Sequence, residues 1–371
     1  MPEPPEFRFG EGKISGLISL VLGGLCLGAV LCFRYPDWLT TPELRALYPL
    51  VLVRVLLFTS LLLSFALGML CVVLGGRRRL ALGGSGMALS GFAVLLGGAG
   101  VEVEGSIESS KYLGLDWLVL DLLVLALVFV PLERVFALAP TQRVFRRGWR
   151  TDLTHFGVSH LLVQMTVLLT MAPAAIFFRW AVYNGLQDAV ASQPGWLQFA
   201  ECLLVADTAQ YGVHRLFHRV PRLWRFHAIH HSSRELDWLA GSRLHLVDVL
   251  FTRALGFVPL YVLGFSPVVL NAYLVFVAFH AVFIHANVRF KLGPIRYLLA
   301  TPQYHHWHHT SEPDALDRNF AVHLPLLDWL FGTFHLPGDR WPESYGIEGD
   351  PVPEGYWGQL VQPFGPDRPT V

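Results

Sequence analysis

Thr301-Pro302-Gln303-Tyr304-His305-His306-Trp307-His308-His309 is the stretch on which the reading of this chain turns. Thr followed by Pro is the pattern of an N-cap and a first helical residue, where proline's missing N–H is not needed. A helix is therefore expected from Pro302, with His305 in its first turn, and Pro313 and its polar neighbours stop it. His305, His308 and His309 stand at i, i+3 and i+4, a spacing that shares one face of a helix. Two upstream runs repeat the idea: His214-Arg215-Leu216-Phe217-His218 at i and i+4, and His227-Ala228-Ile229-His230-His231 at i, i+3 and i+4. These runs hold nine of the chain's 16 histidines.

Each run is expected to aim its imidazoles at a single point. Neutral imidazole is the commonest protein metal ligand. Catalytic zinc ordinarily takes three protein ligands, so this many imidazoles fit two metals better than one. Nitrogen-rich ligation suits zinc, copper, iron or nickel. The first run is not the HExxH of zinc proteases, because Arg215 stands where the glutamate base would be. No Glu-x-x-His pair occurs, which excludes a soluble carboxylate-bridged di-iron bundle. The bland alternative, histidines that simply bond at a membrane surface, does not explain three spaced runs.

Other residues are weighed singly. His285 follows an apolar helix and is read as a ligand; an ionisable group at a membrane boundary is functional by default. His245, His280 and His306 are read as ligands or as supports of ligands. His155 and His160 suit structural or substrate-cavity roles, and His323 and His335 the surface or a supporting position. Metal-bound histidine usually donates its second N–H to a carboxylate or carbonyl. Asp207, Asp237, Asp248, Asp317 and Asp328 are the candidate acceptors, with Asn287 beside His285. Trp224, Trp238, Trp307 and Trp329 read as anchors at the membrane interface.

The rest of the chain supplies a membrane. Of 371 residues, 53% are hydrophobic and 15% charged, against roughly 50% and 25% in soluble domains. The net charge of zero gives no reason to expect nucleic acid. Crossing a ~30 Å hydrocarbon layer takes roughly 20 apolar residues. Such runs lie near 14–33, 48–74, 80–100, 114–135 and 153–180, with a shorter one at 198–213 and a hairpin at 246–263 and 267–286. The first run, behind Glu3, Glu6 and Glu11, reads as a retained helix rather than a signal peptide. Arg77-Arg78-Arg79, then Arg143, Arg146, Arg147 and Arg150, then Arg215, Arg219, Arg222 and Arg225 fall on one side of this topology. By the positive-inside rule that side is cytoplasmic, and all three histidine runs share it. Cys26, Cys32, Cys71 and Cys202 lack CxxC spacing and read as small apolar packing residues. The expected fold is an all-α, multi-pass membrane bundle with a cytoplasmic-facing, histidine-rich di-metal cap. Residues 1–140 form N-terminal transmembrane helices, 141–340 the catalytic domain and 341–371 an irregular tail.

The order HxxxH, HxxHH, HxxHH resembles the fatty acid hydroxylase/sterol desaturase superfamily. The resemblance extends through Ala206-Asp207, Phe226 to Ser233, Asn319-Phe320-Ala321 and Leu327-Asp328-Trp329-Leu330-Phe331-Gly332-Thr333. His-His-Trp-His-His and Ser232-Ser233 look closest to the alkylglycerol monooxygenase-like and bacterial sterol desaturase-like branches. Leu246 follows His245 where sterol desaturases typically have proline, a departure at that point. The resemblance implies a non-haem di-iron oxygenase with two Fe held by His214, His218, His227, His230, His231, His285, His305, His308 and His309. It also implies O2 as co-substrate, a lipid drawn from the bilayer (fatty acyl, alkyl ether, sterol or other isoprenoid) and hydroxylation or desaturation of it. The two electrons would come from an external donor of ferredoxin, cytochrome or pterin type. A zinc-dependent membrane hydrolase and a metal transporter or sensor are the competing readings.

Overall fold

The computed structural model describes residues 12–103, 113–162, 175–290, 292–349 and 352–365. These residues are mostly helical, and their β features are two isolated bridges, Ala137 to Val288 and Thr310 to Tyr345. Six helices among them are long and apolar enough to cross a membrane: Lys13–Arg34, Leu50–Gly75, Leu80–Gly100, Leu115–Val135, Leu246–Leu263 and Pro267–His285. The chain is an integral membrane protein of helical architecture. The span expected over 153–180 falls largely on residues 163–174, outside those described. The 198–213 stretch is not among the six; Glu201 and Asp207 interrupt its apolar run.

The chain divides into two compact units, Met1–Asp121 and Leu122–Val371. In the first, α1 (Lys13–Arg34), α2 (Leu50–Gly75) and α3 (Leu80–Leu95) pack against one another. Lipid offers no hydrophobic drive between helices, so small residues and polar clasps do the work. Ser19 Oγ donates to the Ser64 carbonyl (2.7 Å), Ser64 Oγ to that of Ser19 (2.8 Å), and Ser90 Oγ to Ser64 Oγ (2.6 Å). A Cβ on Gly86 would lie 2.1 Å from Ser19 Oγ, so the α1–α3 approach needs glycine there.

The second unit takes in most of α4 (Leu115–Val135), then α5 (Trp149–Leu161), α6 (Gly195–Arg219), α7 (Pro221–His231), α8 (Leu246–Leu263), α9 (Pro267–His285), α10 (Pro302–His308), α11 (Leu326–Phe331) and α12 (Tyr356–Val361). Cys202 and Ala206 of α6 pack with Leu260 of α8 and Val269 and Tyr273 of α9 in one apolar cluster. α6 outruns this cluster and carries His214 and His218 beyond it. Pro221 then opens α7 at once. Thr301 caps α10 by accepting from the Tyr304 N–H, with Pro302 at the first helical position, as the sequence leads one to expect. His245 caps α8: its Nδ1 accepts from the Val247 N–H at 3.0 Å.

Candidate metal centre

The short helices α7 and α10 and the C-terminal ends of α6 and α9 meet in a buried knot of imidazoles. His214, His218, His227, His231 and His308 form one group; His230, His285, His305 and His309 form another. Within each group the ligand-competent atoms all lie within 4.8 Å of one another. In the first, His214 Nε2 is 3.0 Å and His231 Nε2 3.2 Å from His227 Nε2. In the second, His285 Nε2 is 3.0 Å from His305 Nε2, and 3.2 Å from both His230 Nε2 and His309 Nε2. The groups adjoin: the His231 and His309 rings stack with centroids 4.5 Å apart.

The runs do not each aim at one point. α7 gives His227 and His231 to the first group and His230 to the second. α10 does the reverse, giving His305 and His309 to the second and His308 to the first. At about 100° per residue, positions i and i+4 diverge by about 40°, while i+3 lies about 60° to the other side of i. Each helix therefore stands between two foci and serves both.

Burial favours the neutral form of seven of these rings. His214 is pushed down to about 3 by burial and the neighbouring His227. Burial, then the crowd of other imidazoles, holds His218, His230, His231, His305, His308 and His309 well below the usual histidine value. Protonation would remove the lone pair that a metal needs, so this environment favours the ligand form.

The outer nitrogens are pinned. His227 Nδ1 donates to Asp248 (2.7 Å), His218 Nδ1 to Asp317 (3.0 Å), and His214, His308, His285 and His230 to the carbonyls of Phe320 (2.7 Å), Arg318 (2.8 Å), Ala281 (2.6 Å) and Arg243 (3.2 Å). With Nδ1 donating, Nε2 keeps its lone pair toward the group. The Nε2 atoms of His218 and His308 are buried and have no hydrogen-bond partner. Polar atoms are seldom left so, and a metal ion in the first group would satisfy both. The residues present thus fit metal ions, and an all-imidazole set suits iron, zinc, copper or nickel.

The carbonyls come from a braced strap. Asp317 and Asn319 hold left-handed backbone, φ 56° and 57°, which turns the Arg318 carbonyl to His308. Asn319 clasps the carbonyls of Tyr304 (2.9 Å) and His335 (2.7 Å). Asp328 accepts the N–H groups of Phe320 (2.8 Å) and Ala321 (2.7 Å) and the hydroxyls of Thr333 (2.6 Å) and Tyr304. Asp207 accepts those of Val322 (3.0 Å), His323 (3.1 Å) and Leu324 (2.6 Å). Neither Asp207 nor Asp328 is bonded to a ring of either group; both hold the strap that does.

Other candidates lie elsewhere. His306 faces Tyr345 (2.9 Å) and the His285 carbonyl (3.3 Å), outside both groups. His280 Nδ1 meets His323 Nδ1 at 3.0 Å while its Nε2 donates to Ala300. His245 is a helix cap, and Asn287 clasps Ala139. His155 bonds Gln359 (2.8 Å) and Leu244 (3.0 Å), and Asp237 binds Arg146. Trp238 and Trp307 are buried, and Trp224 leans on His218, ring centroids 4.9 Å apart; of the four tryptophans read as membrane anchors, Trp329 is well exposed. Sequence reasoning missed the supporting carbonyls at 243, 281, 318 and 320, because a backbone oxygen leaves no trace in residue type.

Residues 199–333 match the fatty acid hydroxylase family model. The chain is 32% identical over 256 residues to ornithine lipid hydroxylase OlsE of Rhizobium tropici, covering 66% of this chain and 77% of that protein. This chain belongs to the fatty acid hydroxylase/sterol desaturase superfamily. All nine histidines of the two groups fall inside the fatty acid hydroxylase segment. Alkylglycerol monooxygenases are also similar to it: that of Danio rerio is 32% identical over 205 residues, 52% of this chain and 45% of the relative. The Homo sapiens protein is 31% identical over 145 residues, 39% of this chain and 32% of the relative. No solved structure matches the chain.

Proposed function

We propose that this chain is a membrane-bound oxygenase that hydroxylates or desaturates a lipid at a di-iron centre on the cytoplasmic side, using O2 and two electrons from an external donor. One observation carries the reading: two adjoining groups of five and four imidazoles held inside the protein, with no carboxylate in either, within a fatty acid hydroxylase segment. Relatives named as lipid hydroxylase and monooxygenases support the substrate class. Bound iron would supply O2 activation and the oxidising power to attack an unactivated C–H bond.

The chain's own residues set the conditions. Asp248, Asp317 and the four carbonyls fix the tautomer and aim of six of the nine rings. Burial excludes water from the knot, which protects a reactive oxidant from side reactions. The strap held by Asp207 and Asp328 keeps the geometry rigid through turnover. The basic loops support a cytoplasmic face, where soluble electron donors have access.

Metal analysis of the purified protein tests the reading: about two irons per chain are expected. His230→Ala and His308→Ala, one from each group, should each lose metal and all O2-dependent product. Full activity in either variant sinks the assignment. Turnover without oxygen and with zinc bound would point to a hydrolase instead.

A further inference from the structure

An open cavity of about 730 Å3 lies in the second unit, lined in part by Arg146, Arg147, Arg150, Arg234 and Arg243. Two of these line it from within the protein. Arg146 is buried and Nη2 donates to Asp152 (2.6 Å) and Asp237 (2.7 Å). Arg243 is buried too; its Nε donates to Asp152 and its Nη1 to Ser232 Oγ (3.2 Å). Such arginines could be mere staples between loops, but Arg243 does more. A Cβ on Gly148 would lie 2.6 Å from Arg243 Nη2, so the guanidinium reaches the start of α5 where only glycine leaves room. Residues 148–151 of that helix start also line the cavity, and no side chain caps it.

Arg147, Arg150 and Arg234 are exposed and line the cavity together with Glu235 and Glu354. Arg147 pairs with Glu354 there. Beside them, exposed Phe145 packs on Trp149, ring centroids 4.8 Å apart. Guanidinium forks match carboxylate and phosphate, and free N–H groups at a helix start favour anions. Aromatic rings at the rim suit the boundary between head group and chain.

The cavity shares a wall with the metal centre. The Arg243 carbonyl accepts from His230 Nδ1 (3.2 Å), and Ser232 follows His231 directly. We infer that this cavity seats the oxyanion, a phosphate or carboxylate, of the lipid substrate's head group and so selects which lipid is oxidised. The inference rests on the lipid-oxidation reading above. Glu235 and Glu354 would face a positive group of the same head, so anionic and zwitterionic heads are accepted and uncharged ones are not.

The test is equilibrium binding to the full-length, metal-loaded protein in detergent, without reductant. The probes are dihexanoyl phosphatidic acid, decanoate, dihexanoylglycerol and inorganic phosphate. Either oxyanion lipid should bind at least roughly tenfold more tightly than the uncharged glyceride, and Arg147→Gln/Arg150→Gln should remove roughly tenfold of it. Inorganic phosphate should compete. Metal content equal to wild type confirms that the double variant is folded; if it is not, Arg234→Gln, across the rim, gives the same reading. Equal binding of charged and uncharged lipids, or no change in the folded variants, overturns the inference. Phosphate that binds without displacing lipid also overturns it, since the site is then one for a free anion. Head-selective binding with no O2 consumption would keep this site and remove the oxygenase reading; turnover blind to the head group would do the opposite.

Discussion

Nδ1 of His227 lies 2.7 Å from Oδ2 of Asp248, a buried carboxylate at the start of α8 whose other oxygen accepts from Thr252 (3.1 Å). The pair ties the first histidine group to the membrane hairpin. It also sets the tautomer that leaves His227 Nε2 free. Asp248→Asn should weaken metal binding in that group by roughly 10–100-fold, the usual cost of losing such a support. Metal titration of the purified variant, with His308→Ala as the reference for a lost ligand, reads the effect.

Gly241 stands where the chain passes flat against a ligand candidate. A Cβ there would come 2.8 Å from His285 Nδ1 and 3.1 Å from its Cγ. His285 cannot retreat without moving Nε2 away from His305, His309 and His230. Gly241→Ala should therefore lower metal occupancy of the second group while the first group keeps its own. Spectroscopy that resolves one bound metal from two checks this.

The Asp152 carboxylate joins Arg146 and Arg243 in a buried network. Removing one partner leaves buried charge uncompensated, which costs about 3–5 kcal/mol. Asp152→Asn should show this as a large drop in thermal unfolding temperature in detergent. Glu354→Gln, which breaks the exposed pair with Arg147, should change it little.

Acid should unload the centre. His214 and His306 are pushed down to about 3 in the folded chain, from 6.5 when unfolded. Between those values the unfolded chain binds more protons than the folded one, so stability falls as pH drops below about 6.5. Above 6.5 both states are neutral at these groups and their contribution is flat. Unfolding temperature and retained metal, measured from pH 8 to pH 5, should hold steady to about 7 and then decline together.

Much of the site is legible because its signals are local. Thr301-Pro302 marks the start of α10, Pro221 that of α7, and the histidine spacings follow the helical period. His285 stood out as an imidazole at the end of an apolar run. His245, ahead of one apolar run, and His280, inside another, were also candidates yet lie outside both groups, because one spends Nδ1 on a helix cap and the other meets His323. Arg146, one of a run of basic residues that reads as a topology signal, is instead buried between Asp152 and Asp237. Residue type cannot tell a solvated arginine from a paired one.

The sequence by itself determined the helical membrane architecture, the number of imidazoles and their spacing along helices, since hydropathy, helix-start signals and the 3.6-residue period are properties of neighbouring residues. The tertiary structure decided how those imidazoles are shared. α7 and α10 each split their histidines between two groups, in opposite senses, because the i and i+4 rings point to one side of a helix and the i+3 ring to the other. Which side meets which partner depends on how α6, α9 and the 317–324 strap pack around them, and that comes from contacts between residues far apart in the chain.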